Sequence, residues 1–134
     1  MAFIPIREDC GYTDNMKMQA STTILKNQAQ VFASGYLVPA TNASTEVKYV
    51  SLEAKTTAGG ETPEILTIAT NEEMEFLADT STNTSQANVG TKCDLADGLT
   101  INVGATTNKV FFVKKVVGAP ANRKVIGYFV SKDS

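Results

Sequence analysis

The feature that most constrains this chain is a repeated local design. Short runs with a two-residue period are each closed by Gly, Pro, Asn, Asp, Ser or Thr, and no stretch carries a capped helical stripe. The run from Glu46 to Lys55 shows it well. Val47, Tyr49 and Ser51 fall on one parity and Lys48, Val50, Leu52 and Ala54 on the other, which predicts a strand over 47–54. The fold class that follows is all-β.

The same signals order the chain from residue 30 on. Val31–Ala33 and Tyr36–Val38 flank a turn at Ser34-Gly35, and Pro39 ends the second run. Thr56–Pro63 reads as a loop, with Gly59 and Gly60 free to take positive φ. Ile65–Ala69 is expected as a strand buried on nearly both faces. Glu73–Asp79 is expected as a half-buried strand with Met74 and Phe76 inward and Glu73 and Glu75 outward. Thr80–Asn88 has no large apolar residue and reads as a surface connection. Val89–Leu95 and Leu99–Val103 flank Ala96-Asp97-Gly98, a hairpin signal. Lys109–Val117 and Lys124–Val130 are the longest β runs, joined through Gly118, Pro120 and Asn122. About eight such strands in roughly 100 residues predict a small, closed or nearly closed barrel, which removes exposed sheet edges.

The first 29 residues look different. Phe3-Ile4-Pro5-Ile6 is an apolar patch whose proline disfavours helix and central strand, followed by Arg7-Glu8-Asp9 and a turn at Cys10-Gly11. Met16–Ala20 alternates weakly, as an edge strand would, and Ser21–Ala29 fits either a short helical turn or a loop. The expectation is an extended N-terminal arm over 1–29 and a β-barrel domain over 30–134.

Composition limits the chemistry. A chain of 134 residues forms one domain able to bury roughly two-thirds of its unfolded surface without metal or disulfide. A net charge of −2 lacks the basic footprint of a nucleic-acid binder. No run approaches the roughly 20 apolar residues of a membrane helix, and the N-terminus lacks signal-peptide order, so folding in the cytoplasm is expected. With no histidine, imidazole-based nucleophile triads are excluded. Cys10 and Cys93 are expected as reduced thiols, and the tripeptides at Asn42 and Asn83 as chance matches to the glycosylation pattern.

Two carboxylate groups are candidates for paired acid-base chemistry, Glu72, Glu73 and Glu75, and the pair Asp94 and Asp97; the latter spacing could also donate to calcium but lacks the run of alternating oxygen ligands. Solvation of a strand face explains the first, and turn formation the second. Gly59-Gly60 is not followed by the Lys-Ser/Thr of a phosphate loop. Lys114, Lys115, Arg123 and Lys124 form one basic concentration, and strict alternation would put Lys114 and Lys115 on opposite faces. The expectation is a non-enzymatic protein with no cofactor and no metal.

The segments Tyr36–Ala40, Val47–Ala54, Ile65–Ile68, Phe76–Asp79 and Val89–Leu95, in this order, resemble the small β-barrel proteins that decorate, or cement, the capsids of tailed bacteriophages. The similarity extends over roughly residues 30–131. It implies a β-tulip-like or SH3-like barrel that binds the outer surface of an assembled capsid, bridges copies of the major capsid protein and acts as a homotrimer. An apolar arm would become ordered along a neighbour, which makes Phe3, Ile4, Pro5, Ile6, Met16 and Met18 the expected protein contacts. The alternative for these residues is that they close one end of the barrel. Competing functions are another virion component (tail, head-fibre or baseplate adaptor) and a carbohydrate-binding adhesive domain. The latter is disfavoured because aromatics are 7% of the chain and tryptophan is absent.

Overall fold

The computed structural model describes residues 3–6 and 13–131. Its strands are β1 (Ile4–Pro5), β2 (Thr13–Lys17), β3 (Thr23–Ile24), β4 (Ala29–Ala33), β5 (Tyr36–Pro39), β6 (Tyr49–Ser51), β7 (Lys55–Thr56), β8 (Glu64–Ala69), β9 (Phe76–Thr80), β10 (Lys92–Leu95), β11 (Thr100–Asn102), β12 (Phe111–Val117) and β13 (Lys124–Phe129). Two single 3-10 turns, at Gln86–Asn88 and Pro120–Asn122, interrupt them. The chain is all-β.

Three sheets form. The larger has the order β1-β9-β11-β10-β12-β13, with β13 pairing back onto β9; the second runs β2-β8-β6-β4-β5; and β3 pairs with β7 alone. In the larger sheet the pairings return to β9, but the ring is uneven. β12 and β13 pair along their whole lengths, whereas β11 meets β9 in parallel only where Thr100 and Ile101 lie beside Asp79 and Thr80.

One core joins the two larger sheets. Phe3, just ahead of β1, joins Phe76, Ile101, Phe111 and Phe129 from the first, and Ala29, Val50 and Ile68 come from the second. The Phe129 ring contacts Phe3, Phe76 and Phe111 at centroid separations of 4.9, 5.2 and 5.1 Å, tilted or edge-on as aromatic quadrupoles prefer. A smaller cluster of Met18, Ile24, Leu37 and Ile65, with Met16 and Tyr49 against it, packs on the other side of the second sheet.

Local sequence explains the clear hairpins. At Ser34 and Gly35 φ is +52° and +88°, the paired left-handed conformation that matches the twist of two flanking strands, and Gly35 takes it without Cβ strain. β10 and β11 pair as the Asp-Gly signal predicts, and Asp97 holds the corner by accepting from the Leu99 amide at 2.7 Å and the Thr100 hydroxyl at 3.0 Å.

Three expectations are corrected. First, the described part of the N-terminal segment is not an extended arm. Phe3 lies in the main core, β1 pairs Ile4 with Leu77 and Pro5 with Phe76, and β2 pairs along β8. Burying a phenylalanine and completing sheet hydrogen bonds outweighs the local signals of Pro5. Residues 7–12 lie outside the described residues. Second, the run at 47–54 is a strand only over Tyr49–Ser51. It breaks because Leu52 donates its amide to the Leu66 carbonyl while Glu53 accepts from the Leu66 amide, and the chain then turns to place β7 beside β3. Third, a register shift between Val113 and Lys115 interrupts β12, and both Lys114 and Lys115 are exposed. The undecided stretch 21–29 contains neither helix nor simple loop. It carries β3 and enters β4, with turns where Ser21 and Asn27 take positive φ.

Candidate functional site

The candidate carboxylates are mostly engaged in holding the backbone or in ion pairs. Asp94 is buried and accepts from the amides of Asn108 at 2.6 Å and Lys109 at 2.9 Å, which fixes a loop where Lys109 takes φ +55°. Glu72 accepts from the Ser131 amide at 2.8 Å, and Glu75 pairs with Lys114. Glu73 is exposed. Among the described residues no three His, Cys, Asp or Glu side chains converge as metal ligands would. Cys93 is a free thiol in the core; burial is the main cause that pushes its pKa above the ordinary thiol value, with a lesser contribution from the Asp94 charge and an opposing hydrogen bond from Thr91. Cys10 lies outside the described residues.

The six expected contact residues separate. Phe3 and Met18 are fully buried within the chain's own fold, so neither is available to a neighbour. Ile4, Pro5 and Met16 are half-buried, and Ile6 is 43% exposed. Leu25 and Phe32 are equally exposed and Leu66 nearly so, although no expectation singled them out.

An apolar strip lies on the outward side of the larger sheet. Along β13, Val125, Gly127 and Phe129 are buried while Lys124, Ile126 and Tyr128 face away from the core. Cross-strand register carries this outward row onto its neighbours: Tyr128 beside Phe112, Ile126 beside Leu77, and Leu77 beside Ile4. All five of these apolar residues are half-buried, and none packs against the core. Phe112 and Tyr128 stack at 4.9 Å with an interplanar angle of 22°. No family model matches the chain, and no curated protein and no solved structure matches it either.

Lysines border this strip. Lys92 is exposed directly beside Phe112, and Lys115 beside Ile126. Lys114 pairs with Glu75, and Lys124 with Asp79. The signal was present in the sequence: Phe112 and Tyr128 have the opposite parity to Phe111 and Phe129, so if one pair of aromatics is inward the other must be outward. Lys114, Lys115 and Lys124 of the expected basic concentration thus border an apolar strip, whereas Arg123 donates to Asn83 and to the Ser81 carbonyl.

Proposed function

We propose that this chain is a virion structural protein that attaches to the outer surface of an assembled tailed-phage capsid and stabilises it by bridging copies of the major capsid protein. The observation that carries the reading is the ordered series of segments that resembles capsid decoration proteins. In this chain those segments fall on or beside β5, β6, β8, β9 and β10, elements of a body with one shared core. The uneven ring of the larger sheet is read here as a small barrel of the β-tulip or SH3-like kind. The protein acts on the shell as a homotrimer, and its place is the virion exterior after synthesis in the host cytoplasm.

A rigid β body suits this task for a physical reason. Decoration resists shell expansion through many copies that engage together, so each contact needs only modest affinity provided the body between contacts does not yield. With Phe3 and Met18 committed to the interior, attachment relies on surface residues of the folded body rather than on a free arm.

The test is co-sedimentation of purified protein with assembled, undecorated capsids of the phage that encodes it, together with light scattering of the free protein. Saturable retention on shells supports decoration. Assembly into rings or tubes, or retention on glycans with none on shells, overturns it in favour of a tail component or an adhesin.

A further inference from the structure

We propose that the outward face of β12, β13, β9 and β1 is a docking surface for a protein whose contact area is apolar at its centre and carboxylate-rich at its rim. Five half-buried apolar side chains, Phe112, Tyr128, Ile126, Leu77 and Ile4, run across four neighbouring strands, where an outward sheet face open to water would carry mostly polar residues. The stacked aromatic pair supplies rigid contact area of the type enriched at interface centres.

The border specifies the partner. Among the described residues, Lys92, Lys114, Lys115 and Lys124 border the strip against two carboxylates, Glu75 and Asp79, which are ion-paired to Lys114 and Lys124. Lys92 and Lys115 have no ion-pair partner among the described residues. The face is therefore positive on a chain whose net charge is −2, and an acidic rim on the partner complements it. A second copy presenting the same face would set lysine against lysine, which disfavours a two-fold self-contact. Single-stranded nucleic acid fits less well, because Phe112 and Tyr128 stack on each other and the strip continues through Ile126, Leu77 and Ile4, which have no use for phosphate or base.

The identity of the partner, the outer surface of the capsid, rests on the function proposed above. The test uses assembled shells as the probe with three proteins: wild type, the double reversal Lys92→Glu/Lys115→Glu, and Phe32→Ser as a control on the second sheet. Thermal melting checks that each is folded; both lysines are exposed and have no ion-pair partner among the described residues, so the reversal is expected to preserve the fold. The expected result is shell affinity weakened at least about tenfold by the reversal and unchanged by the control. A milder variant, Tyr128→Ser, is expected to weaken retention in the same direction.

Retention of the reversal at the wild-type level overturns the docking surface while leaving decoration intact. Wild-type protein that ignores shells overturns the decoration reading and this partner together. A wild-type oligomer that Tyr128→Ser dissociates without loss of shell binding assigns the face to a second copy. Binding of a single-stranded oligonucleotide that the reversal abolishes assigns it to nucleic acid. Either result overturns the proposal.

Discussion

The backbone of Gly127 lies so close to Phe112 that a Cβ at position 127 would come within 1.9 Å of the Phe112 carbonyl oxygen and 2.6 Å of the Phe111 ring. This close approach falls beside the register shift in β12, where Val113 opposes Gly127. Just ahead of that shift, ordinary strand alternation turns Phe111 into the core and leaves Phe112 stacked on Tyr128 outside.

Gly127→Ala tests this contact. Because the obstructing atom is backbone, the strands must part to admit the methyl group, and a loss of at least about 3 kcal/mol is expected. Urea unfolding measures it, and an alanine variant with wild-type stability would contradict the close approach.

Phe3→Ala tests whether the N-terminal residues belong to the core. Phe3 is fully buried, with its ring 4.9 Å from Phe129 and 5.9 Å from Phe111. A loss of about 3–5 kcal/mol is expected from truncating such a side chain. Were the segment a detached arm, the unfolding midpoint would not move.

Asp94→Ala removes the buried acceptor for two part-buried loop amides and is expected to cost about 1–3 kcal/mol. Hydrogen exchange should show protection lost first at the Asn108 and Lys109 amides. Asp97→Ala, at an exposed corner, is expected to cost less than Asp94→Ala.

The Cys93 thiol has a pKa raised mainly by burial, so the folded state favours its protonated form. The stability this contributes is fully present below the unfolded thiol pKa of about 8.5 and is lost as pH rises through the folded value. The stability difference between wild type and Cys93→Ala, measured by urea unfolding, should therefore narrow as pH is raised above about 8.5. In a Cys10→Ala background a thiol reagent should modify Cys93 only as fast as the protein opens, and rapid labelling of the folded protein would contradict its burial.

Much of the strand content was legible because the information is local. Ser34-Gly35 announces its hairpin through the φ values those residues tolerate, and the long runs around Phe111 and Ile126 announce β12 and β13 through their two-residue period. Local pattern also misled. Val47–Ala54 alternates well, yet Glu53 and Leu52 bond to Leu66, a residue distant in sequence, and the strand stops. The outward aromatics could be read by parity, but not that Leu77 and Ile4 continue their row, since that depends on which strands become neighbours.

Taken by itself, the sequence determined that this protein is built from short strands joined by Gly-, Asn-, Asp- and Pro-bearing turns, because backbone preference and side-chain alternation act over a few residues. Tertiary structure alone decided that Phe3 sits among Phe111 and Phe129, that β9 meets β11 in parallel, and that lysines border an outer apolar strip. Those outcomes depend on burial and hydrogen bonding between segments far apart in the chain. No single stretch carries the energy that selects among them.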